Sequence, residues 1–177
     1  MHDAPPTLAA INALDRGRFV ARLGGVFEHS PWIAERAWAA RPFANPGELH
    51  AALTHAMRSG SEAEKLGLLR AHPELAGRDA AEGRLTASSA GEQKSAGLDR
   101  LDAGELRRLA DLNAAYRGKF GFPFIIAVRA RTKDQILAEF ARRLARSETE
   151  EFATALDEVA TIARIRLERM LGVAITV

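Results

Sequence analysis

The sequence predicts an all-α, single-domain bundle of about eight or nine helices spanning residues 1–177. Three observations carry that expectation. Aromatic residues make up only 6% of the chain while Ala and Leu are abundant, a balance that favours helices over sheets. Capping-box spacing recurs, with a Ser, Thr or Asp three residues ahead of Glu or Gln: Ser61/Glu64, Ser89/Glu92, Asp102/Glu105, Thr132/Gln135 and Ser147/Glu150. One apolar run, Phe120 to Val128, tempts a strand reading, but a lone strand has nothing to pair with. The 177 residues suffice for one well-buried core, and neither an internal repeat nor a linker divides them.

In chain order, residues 1–7 read as a short mobile lead-in. Thr7 caps a helix through Leu14, and Asp15 caps a second from Arg16 to Leu23. Gly24-Gly25 interrupts, and Val26 to His29 adds one turn. Ser30-Pro31 signals a start: the hydroxyl accepts a backbone N–H, and Pro has none to waste. Asn45-Pro46 repeats that signal for a helix through Met57, which Gly60 ends. Ser61 caps the helix that runs to His72, where Pro73 disfavours further α conformation. Gly77 to Leu85 reads as loop, and Ser89 caps a helix to Leu98. Asp102 opens one through Tyr116 with Leu106, Leu109, Leu112, Asn113 and Tyr116 inward. Lys119 to Arg129 is expected as a buried, extended Gly-Pro segment. Thr132 caps a helix through Leu144, and Ser147 caps the longest, through Leu171.

Composition narrows the function classes. The charge of +2, from 25 basic and 23 acidic residues, is too small an excess to argue for nucleic acid. Without Cys there is no disulfide, thiolate metal site or Cys nucleophile. His50 and His55 are five apart, off a shared helical face, so no metal constellation forms. No apolar run reaches the ~20 residues of a membrane span. The start, Met1 to Pro6, lacks a signal-peptide pattern, and the expected location is the cytoplasm. Dinucleotide, NTP and serine-hydrolase motifs are missing.

Four features invite chemistry. His72 sits at a helix end on a chain bend and is either a packing residue or an acid/base group. Glu92 completes a capping box, while the helix start beside it offers N–H groups to carbonyls or anions; the two roles are compatible. Arg166 lies on the stripe Phe152, Leu156, Val159, Ala163 and Met170 of the last helix. It is either a buried ion pair or rim-seeking side chain, or a clamp for a carboxylate. The run from Phe120 to Val128 is core, or an irregular buried backbone whose polar groups meet a heterocycle. Arg142, Arg143 and Arg146 read as a solvated helix face.

With these residues in view the chain resembles the OHCU decarboxylase family (OHCU is 2-oxo-4-hydroxy-4-carboxy-5-ureidoimidazoline). The resemblance covers nearly the whole length. It rests on Gly24 to Trp32, on Ala71-His72-Pro73-Glu74-Leu75-Ala76-Gly77, and on Leu85-Thr86 with Ser89, Glu92-Gln93 and Ala96-Gly97-Leu98. Leu112-Asn113 with Tyr116, and Lys119-Phe120-Gly121-Phe122-Pro123-Phe124, complete it. The departures are Glu74, where the family often has Asp, and Ala130, where Gly is common. The resemblance implies an all-helical homodimer that decarboxylates OHCU to (S)-allantoin with no cofactor or metal, and with no nucleic-acid or membrane partner. It implies that His72, Glu92 and Arg166 form the catalytic set. Pro73, Ser89, Ala90, Gly91, Gln93, Phe124, Ile125, Ile126, Ala127 and Val128 would contact substrate. The rival expectation is a helical adaptor or anion-binding module, with an exposed apolar groove and Arg166 in a structural pair.

Overall fold

The computed structural model describes residues 5–129 and 131–176, and among them every regular element is helical. Ten α-helices follow in order: α1 (Leu8–Asn12), α2 (Arg16–Leu23), α3 (Trp32–Ala37), α4 (Pro46–Arg58), α5 (Glu62–Ala71), α6 (Arg78–Ala81), α7 (Ala87–Ser95), α8 (Ala103–Phe120), α9 (Lys133–Leu144) and α10 (Glu148–Leu171). A 3-10 turn, Trp38–Ala40, follows α3. The all-α expectation holds. The helix beyond the expected number is α6, a single turn inside the stretch read as loop. So short a helix carries no apolar period to detect. It is held by exposed pairs, Arg78 with Glu82 at 2.7 Å and Arg84 with Asp79 at 2.7 Å. No described helix is long and apolar enough to cross a membrane. Part of the lead-in, residues 1–4, and Ala130 lie outside the described residues.

Four of the five capping-box spacings do what they encode. Ser61, Asp102, Thr132 and Ser147 each accept the N–H of the residue three on, whose side chain accepts the cap residue's own N–H. The fifth does not. Thr86, not Ser89, caps α7: its hydroxyl accepts the Ser89 N–H at 3.3 Å and donates to the Ser89 hydroxyl at 3.1 Å. Thr86 and Ser89 are both competent caps three residues apart, and Ala87 behind Thr86 favours the earlier start. Ser30 also departs from expectation. Pro31 occupies the cap position of α3 with no side-chain bond, and it is the Ser30 carbonyl that accepts the Ile33 N–H at 3.2 Å.

The chain forms two compact units, Met1–Ala71 with Ala160–Val177, and His72–Val159. The first unit packs Ile11, Phe19, Leu23, Phe27, Ile33, Leu49, Leu53 and Met57 out of solvent. Each such side chain contributes about 1.5–3 kcal/mol of burial. Polar side chains fasten its irregular connections. The Asn12 amide brackets Phe43, donating to its carbonyl and accepting its N–H, both at 2.9 Å. Arg41 donates to the carbonyl of Asn12, the last residue of α1, and to that of Leu14 just beyond it, groups a helix end leaves without partners.

In the second unit α8 is the spine. Leu109, Asn113, Tyr116 and Phe120 recur at helical spacing and are buried, whereas Leu106, expected inward, is 44% exposed. Leu106 stands in the first turn, ahead of the packed stretch. The helix runs four residues past its expected end, to Phe120, and is capped by Gly121, whose φ of 75° a side chain would resist. Phe122 to Val128 then runs buried and without regular structure, as expected. Tyr116 meets Phe120, Phe122, Phe124 and Phe140 at ring-centroid distances of 4.6, 5.9, 5.3 and 5.5 Å. Phe124 stacks on Phe140 at 3.9 Å.

The reading of Arg142, Arg143 and Arg146 as a solvated face holds only for Arg142: Arg146 is part-buried, donating to the Thr154 hydroxyl at 2.5 Å and lying 3.7 Å from Glu151, and the middle member departs furthest. Arg143 is fully buried. Its Nε and Nη2 donate to Glu151 Oε1 at 2.8 and 2.5 Å, its Nη1 donates to the Ile125 carbonyl at 2.8 Å, and it lies 4.5 Å over the Phe124 ring. Tyr116 donates its hydroxyl to the same Glu151 oxygen. Burial, reinforced by that carboxylate, drives the Tyr116 phenol well above its ordinary range, so it stays a donor.

Candidate functional site

His72 is the first residue beyond α5, where Pro73 stops the helix, and it is buried. The bend that carries it is fixed by side chains from two helices of its own unit. Gln93 on α7 accepts the Ala76 N–H at 2.8 Å and donates to the Glu74 carbonyl at 3.2 Å. Asn113 on α8 donates to the Leu75 carbonyl at 3.0 Å. Arg117, one turn on, pairs with Glu74 at 2.9 Å. Two consecutive peptide units after Pro73, Glu74–Leu75 and Leu75–Ala76, are therefore held from outside the bend. A backbone so tied gives the imidazole a defined base, which acid/base chemistry needs. Ala76 has a φ of 44°, unusual for a residue with a side chain, and the Gln93 bond falls on its N–H.

Glu92 immediately precedes Gln93 and is half-buried. Because α7 begins at Ala87, Glu92 stands in the body of the helix and not in its first turn. The capping explanation for this carboxylate is thereby removed. Ser89 is buried within the first turn, while Ala90 and Gly91 are exposed. Ala90 and Gln93 line a groove of about 410 Å³ with Ala76, Ala80, Leu85 and Leu98; His72 and Glu92 are not among its walls.

Phe124, Ile125, Ile126, Ala127 and Val128 are all buried. The fold engages particular peptide groups among them. Arg143 takes the Ile125 carbonyl, Glu158 Oε2 accepts the Ala127 N–H at 2.8 Å, and the Arg131 N–H reaches the Val128 carbonyl at 3.1 Å. Helix α8 serves both segments, since Asn113 holds the His72 bend and Tyr116, three residues on, packs against Phe124.

Arg166 belongs to the other unit, on the buried face of α10. Its Nη1 donates to Glu28 Oε2 at 2.8 Å and to the Val26 carbonyl at 3.2 Å. Residues 26–29 form turns, not helix, so the Val26 carbonyl has no helical partner and the guanidinium supplies one. Glu28 is 2% exposed. The ion-pair alternative for Arg166 is thus realised, and a paired guanidinium remains a donor of fixed orientation. Sequence reasoning passed over Glu28, Arg143, Glu151 and Glu158. Signals existed: Glu28 follows Val26-Phe27, and Arg143 falls on the stripe Ile136, Phe140 of α9.

The 2-oxo-4-hydroxy-4-carboxy-5-ureidoimidazoline decarboxylase of Haloferax volcanii is 46% identical over 167 residues, 94% of this chain and 96% of its own. That of Mus musculus is 43% identical over 93% of each chain. The crystal structure of (S)-allantoin synthase superposes with a TM-score of 0.74 at 31% identity, over 94% of this chain and 54% of that one. A crystal structure of OHCU decarboxylase in the presence of (S)-allantoin gives a TM-score of 0.64 at 22% identity, a likeness of fold, over 79% of this chain and 90% of that one. The family described as OHCU decarboxylase matches residues 12–168, and with relatives this similar over nearly their whole length, the chain belongs to the OHCU decarboxylase family of enzymes.

Proposed function

We propose that the whole chain, 1–177, acts as one enzyme domain that decarboxylates OHCU to (S)-allantoin in urate breakdown. The observation that carries this reading is the family match across residues 12–168, which includes the His72-Pro73 and Phe120-to-Phe124 blocks. The substrate supplies its own electron sink. The carbon that loses CO2 bears a hydroxyl and adjoins a C=N group. As the carbon–carboxylate bond breaks, its electron pair moves into the ring and the C=N nitrogen takes charge and then a proton. The resulting enol gives up its O–H proton and gains one at the neighbouring carbon, which carries the ureido group. The face of that last protonation sets the S configuration. No metal or organic cofactor is called for.

His72 is assigned the proton transfers: it receives the hydroxyl proton and returns one to the ring carbon. Glu92 accepts hydrogen bonds from ureido or ring N–H groups and orients the imidazole. Arg166 donates to an anionic or carbonyl oxygen of the substrate. Pro73, Ser89, Ala90, Gly91 and Gln93, with the backbone of Phe124 to Val128, make the remaining contacts. The apolar side chains of that segment favour loss of neutral CO2 from a charged carboxylate. The enzyme is further proposed to be a cytoplasmic homodimer, on the family resemblance and on a chain without Cys.

The adaptor reading needs an apolar groove and a structurally paired Arg166, and the molecule has both. Neither feature accounts for a family match of this extent, so the enzyme reading is preferred. The experiment is to supply OHCU enzymatically to wild type and His72→Ala and to follow optically active allantoin, since spontaneous decay yields the racemate. A loss of about 10²- to 10⁴-fold in the (S)-specific rate is expected. Formation at the wild-type rate would exclude His72 from the chemistry.

A further inference from the structure

Within the second unit one short stretch of backbone is gripped by two charged side chains that the proposed chemistry does not use. Glu158 projects from α10 and accepts the Ala127 N–H at 2.8 Å. Arg143 projects from α9 and donates to the Ile125 carbonyl at 2.8 Å. The two grips lie side by side, with Arg143 Nη1 4.0 Å from the other oxygen of Glu158. Arg131 approaches that same oxygen at 3.7 Å. The Ile125 C=O and the Ala127 N–H therefore face one pair of opposite charges. In an extended chain the polar groups of successive residues alternate in direction. Those of Ile126 are consequently turned away from Glu158 and Arg143.

We propose that Glu158 is a positioning residue for substrate binding, acting with Arg143 to fix the rotation of the 125–127 backbone so that the Ile126 peptide groups meet the substrate. The proposal rests on the reading above that this segment contacts OHCU. Glu158 adds what packing cannot. Buried apolar side chains hold a segment in place but leave its rotation about the chain axis soft, whereas a carboxylate on one N–H and a guanidinium two residues away define it. Arg143 is itself locked by Glu151, so the clamp has one rigid jaw and one at the rim of the unit, where Glu158 is 16% exposed. The rim jaw can be altered without emptying the core.

Two variants separate this role from a merely structural one. Glu158→Gln keeps an oxygen that can accept the Ala127 N–H, and Glu158→Ala removes it. For Glu158→Ala a KM for OHCU raised about tenfold, with kcat within about threefold, is expected from loss of one charge-assisted hydrogen bond. Glu158→Gln is expected to recover most of the KM, and both variants to unfold at a midpoint close to wild type. An unchanged KM in Glu158→Ala, or equal impairment of the two variants, would overturn the proposal. The amide resonances of Phe124 to Val128 in the wild-type protein, recorded with added (S)-allantoin, distinguish the two ways of failing. Shifts there with an unaffected KM reject Glu158 alone; no shift there rejects the segment as a substrate contact, and the proposal with it.

Discussion

Two buried arginines, one in each unit, use the same side chain to different ends. Arg143 is wrapped on all sides, with a carboxylate, a peptide carbonyl and the face of Phe124 around it. Every contact is to the protein's own core, and Tyr116 completes the wrapping through the shared Glu151 oxygen. Arg166 instead reaches into a turn segment, donating to Glu28 and to the Val26 carbonyl. The first arrangement is a knot that ties α8, α9, α10 and the Ile125 backbone together. The second meets a stretch of chain with no helical bonding of its own. Burial of a charge thus says little about its purpose, and the identity of its surroundings says more.

The contrast can be broken from the Arg143 side first. Arg143→Met leaves the fully buried Glu151 with only the more distant Arg146, 3.7 Å from its other oxygen, as counter-charge, and a loss of about 3–5 kcal/mol in unfolding free energy is expected. Urea denaturation measures it; a loss of under about 1 kcal/mol would show the knot to be dispensable. Arg166→Lys tests the other half. An ammonium keeps the charge beside Glu28 but not the planar fork, so kcat/KM for OHCU should fall about tenfold to a hundredfold while the unfolding midpoint barely moves. A midpoint that drops while activity persists would make Arg166 a second Arg143. The smallest effect is expected at Arg142, next to Arg143 in sequence. It is 57% exposed and pairs with Glu139 on the same helix, and Arg142→Ala should leave both activity and the unfolding midpoint at wild-type values.

Those three arginines also show where sequence was sufficient. Arg166 stood out because its helix is long enough for the apolar stripe to be followed on both sides of it. Arg143 did not, because α9 offers only Ile136 and Phe140 as a frame, and flanking Arg142 and Arg146 make the triplet look like surface. The helices were legible wherever local chemistry ends them, as at Asp15 and Asn45, whose side chains make the cap bonds they promise. At α7 two good caps stood three residues apart, and no local rule chooses between them. The consequence reached the candidate site, since it was the later start that gave Glu92 a capping duty it does not have. His72 was legible as a helix-end residue from Pro73 alone. The grip of Gln93 and Asn113 on its bend was not, because such bonds span 17 to 38 residues and depend on the fold already being formed.

The two duties of α8 bear on how the length of this chain can vary. Asn113 holds the His72 bend and Tyr116 packs on Phe124, so a single helical turn gauges one segment against the other. Inserting one residue between them would rotate the C-terminal part of the helix by about 100° and advance it about 1.5 Å, and both contacts could not survive together. By contrast, the turn around Gly83 is exposed, joins α6 to α7 and has open space about the glycine. Insertions and deletions should therefore collect near Gly83 and be excluded between Asn113 and Tyr116, which makes that interval the natural zero for numbering any set of such chains.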